Sequence, residues 1–537
     1  MPTSLRLRTW QKAALDAFET RDRRDFLAVA TPGAGKTTFA LAAVVRDLAR
    51  HPHRRIVVVA PTSHLKQQWS TAAHRLGVQL AVDWQPADGW PSEFHGVVVT
   101  YQQVASAAAA MRPHLHDAAV VFDEIHHAGA DRSWGDAVAL AFGDAAWRLS
   151  LSGTPFRSDQ NPIPFVTYDF DQAVADHTYD YGDALEEGGV VRPVFFPRIN
   201  GHMEWTSPDG VDLAATFDDE LDRSLASQRL RTALSLDSEW LPDVLRQADE
   251  QLARMRRSDP RAAGLVIAID VEHAHGIARV LRRRHGRDVV VATSDDPTAS
   301  DRIAAFARTD DPWIVAVRMV SEGVDIPRLR VGVHATTTVT ELFFRQAVGR
   351  VVRWTPGQRR QKAFWFVPDD PRLRAHAATL AEHRTHHLRR RIDDGRQDDV
   401  ELDAVRDDPD DQLSLFQAIS ATATTSSEDA DGVFDDRTGE DLIVDDEPGG
   451  IEVELPLPPP RFTTDGTTYE VPLTVRRDEL RQACSDRVEL LVRLTGMAHR
   501  DVNMALNREA AITSVREASL GDLQRRLTVA DDWLARV

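Results

Sequence analysis

Ala30-Thr31-Pro32-Gly33-Ala34-Gly35-Lys36-Thr37-Thr38 follows the apolar run Phe26 to Ala30 and opens a helical stretch. A strand buried on both faces reads as such a continuous apolar run, so the peptide is the turn of a strand–loop–helix unit. Its glycines let backbone N–H groups face phosphate oxygens, and the helix after them aims its N-terminus at the same anion. Gly33, Ala34, Gly35, Lys36, Thr37 and Thr38 are therefore expected to cradle a nucleoside triphosphate. Lys36 would neutralise the β and γ phosphates, and the Thr37 hydroxyl would reach magnesium. A second run, Ala119 to Phe122, leads into Val121-Phe122-Asp123-Glu124-Ile125-His126-His127. Asp123 would complete the metal site, and Glu124 would orient and deprotonate the attacking water. Both motifs begin where a strand ends, at the rim where open α/β sheets bind ligands.

Outward from these motifs, residues 1–170 alternate apolar strands (also Ile56 to Ala60, Val97 to Thr100 and Leu149 to Ser152) with helical stretches. That alternation predicts a parallel sheet covered on both faces. A second α/β series fills 171–385, with strands at Gly264 to Ile269, Val289 to Ala292, Trp313 to Val317, Val331 to Ala335 and Ala363 to Val367, and no phosphate-binding glycine loop. Residues 207–257 read as a mostly helical insertion with Leu221, Leu225, Leu230, Leu234 and Leu241 as its apolar stripe. Residues 386–470 read as an acidic, disordered linker, and 471–537 as a small helical module.

The net charge of −19 comes from one stretch. Between Asp393 and Glu454 there are 22 Asp plus Glu against 3 Arg, a difference of −19, and the remainder balances at 61 against 61. A body with no net charge can still hold a basic groove, so nucleic acid stays open as a partner. The lone Cys484 excludes an intrachain disulfide and a multi-cysteine zinc cluster, and its apolar helical surroundings suit a core position. No apolar run of about 18 residues and no leader pattern occurs, so a cytoplasmic protein without a membrane span is expected.

In motif order and spacing, Leu7 to Pro368 resembles a superfamily 2 DNA helicase or translocase, of the group that includes restriction-enzyme subunits and bacterial repair helicases. The resemblance implies two tandem RecA-like domains working with ATP and Mg2+. Leu7-Arg8-Thr9-Trp10-Gln11 is similar to the adenine-reading motif, with Arg8 and Gln11 as its polar members. Pro61-Thr62 and Thr100-Tyr101-Gln102 resemble strand-gripping loops, which implies nucleic-acid contacts from Thr62, Thr100 and Gln102. Ser152-Gly153-Thr154-Pro155 is similar to the segment coupling hydrolysis to movement, so Ser152 and Thr154 are coupling residues, with His126 at the matching place in the acidic motif. Ser321-Glu322-Gly323-Val324-Asp325-Ile326-Pro327 looks like the second domain's contact with strand and nucleotide, through Gly323 and Asp325. His127 has no assigned part, and the histidine pair is not read as a metal site.

Gln346-Ala347-Val348-Gly349-Arg350-Val351-Val352-Arg353 is similar to the motif that supplies arginine fingers in this family. If Glu341 to Trp354 is one helix, Gln346, Arg350 and Arg353 fall at i, i+4 and i+7 on one face, able to reach a γ phosphate across a cleft. Such a finger is worth about 10³ to 10⁵ in rate. Gln412-Leu413-Ser414-Leu415-Phe416, amid aspartates, resembles the bacterial sliding-clamp-binding peptide, with Gln412 as anchor and Leu413, Leu415 and Phe416 apolar. In the C-terminal module, His499 to Arg508 reads as a helical cap or as a surface touching DNA or a partner.

The expected function is an ATP-dependent DNA helicase or double-strand translocase in repair, replication or defence. The alternatives are an RNA helicase and a clamp-recruited DNA-binding ATPase switch that unwinds nothing.

Overall fold

The computed structural model describes residues 3–129, 132–153, 162–169, 172–286, 288–293, 296, 298–317, 326–355, 357–358, 361–392, 417–425, 450–458, 471–515 and 518–537. The first lobe contains β1 (Thr3–Arg8), α1 (Thr9–Thr20), β2 (Asp25–Ala30), α2 (Lys36–Arg50), β3 (Ile56–Ala60), α3 (Ser63–Arg75) and β4 (Leu80–Ala81). It continues through β5 (Gly96–Thr100), α4 (Tyr101–Met111), β6 (Ala119–Phe122), α5 (Arg132–Phe142), β7 (Trp147–Ser152), the short β8 (Tyr168–Asp169) and β9 (Gln172–Ala173), and β10 (His177–Tyr179). Its parallel sheet has seven strands in the order β10-β2-β7-β6-β3-β5-β4. Every residue of β3, β5, β6 and β7 is buried, which is why β3 and β6 read as unbroken apolar runs, while β7 alternates apolar residues with the buried polar Arg148, Ser150 and Ser152.

The second lobe follows α6 (Tyr181–Glu187) and comprises β11 (Val194–Phe195), β12 (Arg198–Thr206), β13 (Asp212–Thr216), α7 (Arg223–Ala233), α8 (Trp240–Met255), β14 (Ala263–Ala268), α9 (Val271–His285) and β15 (Val289–Ala292). After these come α10 (Ala299–Arg308), β16 (Trp313–Val317), β17 (Leu329–Ala335), α11 (Glu341–Val348), β18 (Ala363–Pro368) and α12 (Pro371–Ile392). Its sheet runs β13-β12-β18-β17-β14-β16-β15, with β11 on β18 and β19 (Gln417–Thr425) on β12. The fold class is two tandem RecA-like α/β lobes.

Four boundaries differ from the sequence reading. Strand β10 pairs in parallel with β2, so the first sheet extends beyond residue 170; three residues are too few to show a period. The segment 207–257 is not all helix, because β13 turns back antiparallel on β12 through Ser207 to Val211, with Gly210 at φ 79°. Helix α12 continues to Ile392, past the expected start of the linker. Finally, the acidic stretch is not wholly without structure: β19 pairs antiparallel with β12, and β20 (Gly450–Leu455) pairs antiparallel with β1. The average composition concealed an uncharged nine-residue run in β19 and the alternating Gly-Ile-Glu-Val-Glu-Leu of β20, where Val453 and Leu455 are buried.

The C-terminal helices α13 (Leu473–Thr495), α14 (His499–Glu509) and α15 (Leu520–Leu534) dock on the first lobe. Leu473, Leu480, Leu520 and Leu523 join its core, while Val488, Leu491, Val502, Leu506 and Ala530 form a small core of their own. Cys484 is buried there, its Sγ 3.7 Å from Leu523 O. No helix among the described residues is long and apolar enough to cross a membrane.

Candidate active site

The loop after β2 takes the shape its glycines allow. Gly33 and Gly35 have φ of 85° and 89°, and Gly35 is the left-handed N-cap of α2. No side chain caps α2, which leaves its first N–H groups facing the loop, the arrangement an anion needs. Lys36 and Thr37 open the helix, and the Thr38 N–H donates to Gly35 O at 3.0 Å. Arg8 and Gln11, the expected adenine readers, hydrogen-bond to the loop. Arg8 Nη1 donates to Gly33 O at 3.0 Å and Gln11 Nε2 to Gly35 O at 2.9 Å, while Gln11 Oε1 accepts from Arg8 N at 2.8 Å. With Gln11 buried and bonded at both ends, these contacts make it a support of the loop. Trp10 adds a third bond, from Nε1 to Ala34 O at 3.1 Å, and stacks on Tyr179 of β10.

At the end of β6, Asp123 and Glu124 diverge. Trp69 Nε1 of α3 donates to Asp123 Oδ2 at 2.8 Å, and Tyr101 OH donates to Asp123 O at 3.0 Å. Glu124 adopts φ 47°, unusual for a side-chain-bearing residue, which swings its carboxylate back over the loop. Its Oε1 takes Lys36 Nζ at 3.0 Å and its Oε2 the Gly153 N–H at 2.9 Å. Gly153 lies against this pair: a methyl there would stand 3.1 Å from Lys36 Nζ and 3.4 Å from Glu124 Oε1. Burial, then the neighbouring Glu124 charge, pushes the Asp123 pKa up. For Glu124 burial acts upward too, but Lys36, His126 and the Gly153 N–H outweigh it and hold the carboxylate below its ordinary value.

His126 joins both lobes. Its Nδ1 lies 3.4 Å from Ser152 Oγ and 3.6 Å from Glu124 Oε2, and its Nε2 lies 3.0 Å from Gln346 Nε2 of the second lobe. With the Gln346 amide donating, Nε2 accepts and the ring proton sits on Nδ1. Burial lowers the ring's pKa to about 4, so the imidazole is neutral at pH 7. His127 stacks on Tyr101.

The finger segment departs from a single helix. Helix α11 ends at Val348; Arg350 and Val351 close turns onto Ala347 and Val348, and Arg353 forms an isolated bridge with Val191. The lobes touch at this point: a Cβ on Gly349 would stand 2.6 Å from Pro32 Cγ of the phosphate loop. Arg350 is buried, and Arg353 runs over Gly33, its Cγ 3.5 Å from where a methyl on that glycine would be. The seam also encloses a cavity of about 150 Å³ lined by Thr31, Pro32, Tyr179, Arg345, Gly349 and His383, among others.

Of the expected strand-gripping residues, Thr62 is half-buried at the N-cap of α3 and Gln102 is exposed. Thr100 is not available in that way: it is buried, and its Oγ1 caps α4 by accepting from Gln103 N at 3.1 Å. Thr154, Gly323, Asp325 and the peptide Gln412, Leu413, Leu415 and Phe416 lie outside the described residues. The sequence reading missed Trp69, Tyr101 and Tyr179. Buried Trp and Tyr need a polar partner, but which partner is set by tertiary contact.

The family model described as type III restriction enzyme, res subunit, matches residues 4–157. "Uncharacterized protein Rv2917" of Mycobacterium tuberculosis (strain ATCC 25618 / H37Rv) is 46% identical over 393 residues, 72% of this chain and 65% of that protein's length. "Uncharacterized protein ML1624" of Mycobacterium leprae (strain TN) is 43% identical over 434 residues, 78% of this chain and 71% of that protein. The chain belongs to the family of these mycobacterial proteins. Among solved structures, S. cerevisiae Dbp5 bound to RNA and ADP BeF3 covers 70% of this chain and 87% of its own at 13% identity, with a TM-score of 0.43. The restriction-subunit match lies on the first of the two RecA-like lobes. In this member of the family, the restriction-subunit match ends at the close of the first lobe's motifs, just beyond Gly153.

Proposed function

We propose that the chain is a magnesium-dependent, nucleic-acid-stimulated ATPase that moves along DNA. The observation that carries this reading is the His126–Gln346 hydrogen bond, which ties the Glu124 and Ser152 side of the hydrolytic site to the other lobe. The uncapped α2 N-terminus, the two left-handed glycines and Lys36 fit a triphosphate, and Thr37 with Asp123 supplies oxygens suited to magnesium. When bound, the ion would neutralise phosphate charge. Lys36 now rests on Glu124; drawing its ammonium toward a phosphate leaves Glu124 free to accept a proton from water. Arg353 reaches the loop from the other lobe, its Cγ over Gly33. Loss of the terminal phosphate removes what holds these groups together, and repeated closing and opening of the lobes on a strand gives movement.

The test compares ATP turnover with single-stranded DNA, duplex DNA and RNA, in wild type, Lys36→Ala and Glu124→Gln. Stimulation by DNA and loss of about 10³-fold or more in both variants are expected. Near-normal turnover in either variant refutes the assignment, and stimulation by RNA alone moves the protein to the RNA helicases. Displacing a triplex-forming strand without separating a duplex would mark a translocase.

A further inference from the structure

The C-terminal helices are not used by the motor described above, and their placement is specific. Leu473 N donates to Gln79 Oε1 at 3.3 Å just before β4, and Arg481 Nη1 donates to Asp83 Oδ2 at 2.5 Å just after it. Helix α13 therefore runs in the direction of β4, toward the edge of the sheet where the phosphate loop, Thr62 and Gln102 emerge. From Arg481 to Thr495 it advances about 20 Å further. The turn at 496–498 and helix α14 thus stand beyond that edge, on the side where a strand would pass.

The connection itself is a helix, a three-residue turn with Gly496 at φ 67°, and an 11-residue helix, which is the pattern of a helix-turn-helix. The rotation of the second helix is fixed from below. Val502 and Leu506 are buried, and the buried Arg526 of α15 donates to Asn503 Oδ1 at 2.7 Å and to Asn507 Oδ1 at 2.8 Å. With that face pinned, Arg500, Met504 and Arg508 form an exposed i, i+4, i+8 stripe. Neither arginine has a carboxylate partner among the described residues. Asp501 and Glu509 are also exposed: Asp501 lies at the edge of the stripe, about 60° around the axis from Met504, and Glu509 is turned about 100° beyond Arg508. Leu490, Leu494 and Met497, exposed on the last turns of α13 and the connection, flank it.

We propose that α14 enters the major groove of a B-form DNA duplex, with Arg500 and Arg508 reaching guanine edges or phosphates and Met504 meeting a thymine methyl. A helix about 10–12 Å across matches a groove about 12 Å wide. Two exposed arginines without carboxylate partners among the described residues supply the cations that phosphates and guanine edges accept from. The module would hold duplex ahead of or behind the lobes, a grip the ATP site does not itself provide.

The test uses the full chain without nucleotide, so that a failed ATPase assignment leaves it readable. Affinity for a DNA duplex and for an RNA duplex of the same sequence is measured across salt concentrations for wild type and Arg500→Ala plus Arg508→Ala, with melting temperature as the check on folding. The variant should bind DNA about tenfold or more weakly, with a salt slope shallower by about 1 to 2. RNA duplex, whose deep and narrow major groove excludes a helix, should be bound as before. DNA affinity within twofold of wild type, an equal loss on RNA duplex, or a loss confined to a protein partner each overturns the proposal.

Discussion

Gly349→Ala isolates the closed seam from everything else the protein does. The backbone at Gly349 is right-handed (φ −54°, ψ −16°), so alanine meets no conformational penalty there, and the N–H keeps its 2.9 Å bond to Arg345 O. The new methyl, however, would stand 2.6 Å from Pro32 Cγ and 2.7 Å from Pro32 Cβ. Carbon atoms in contact rest about 3.5–4.0 Å apart, and a proline ring cannot swing away, so the segment carrying Arg350 and Arg353 must retreat by about 1 Å. A displacement of that size at a reacting centre costs about 10²-fold in rate. The cradle for nucleotide is built by the first lobe, so KM for ATP should change by less than about threefold while kcat falls about a hundredfold. The melting temperature should not fall. Steady-state ATPase with saturating DNA checks this, and Pro32→Gly added to Gly349→Ala should recover part of the rate by removing both the Cγ and the Cβ contact. A single variant within threefold of wild-type kcat would show that turnover does not pass through this closed seam, and a slow variant that Pro32→Gly fails to help would show that the clash is not the cause.

Two further outcomes follow from buried hydrogen bonds. Trp69→Phe removes the indole donor from Asp123 Oδ2; the magnesium concentration for half-maximal ATPase should rise about tenfold or more, and an unchanged magnesium curve means that Trp69 does not orient this carboxylate. His334 is buried with its Nε2 on Thr338 O at 3.0 Å, and burial lowers its pKa to about 4. Between that value and an unfolded value of about 6.5 the unfolded chain takes the proton and the folded chain does not, so stability falls as pH drops through this window, by up to about 3 kcal/mol. Melting temperature measured from pH 7 to 4.5 should therefore drop less steeply in His334→Gln than in wild type; equal slopes refute the role of this ring.

What was legible in the sequence was local. Phe26 to Ala30 and Ala119 to Phe122 announce strands because both faces are buried, and Gly33 and Gly35 announce a loop because their φ values are hard for any other residue. The residues that act on that loop were legible only as types. Nothing within Arg8-Thr9-Trp10-Gln11 says that the two polar side chains turn back onto the carbonyls of Gly33 and Gly35, a contact across 24 or more residues. Thr100 likewise looked like a hydroxyl offered outward, but a helix begins there and its N-cap claims the oxygen. Strands β10, β19 and β20 were hidden for the opposite reason: their pairing is supplied by distant partners, and short or alternating segments carry too weak a period of their own.

The finger segment shows where local reasoning stops being sufficient. Gln346, Arg350 and Arg353 at helical spacing suggested one rigid stripe, yet the helix ends where Gly349 meets Pro32. A continuous helix would carry Arg353 about three turns along from Glu341, held only by its own lobe. The broken one lays the chain on the phosphate loop, lets Arg353 pair with Val191 beside β11, and puts the guanidinium-bearing side chain over Gly33. The glycine thus serves the contact between lobes, because any side chain there would hold them apart. Gln346, which bonds His126 across the lobes at 3.0 Å, lies on the last turn before the break. The close approach of Pro32 and Gly349 is thus the point at which a side chain would part the lobes, with the histidine bridge just before it in the chain and Arg353 just after it.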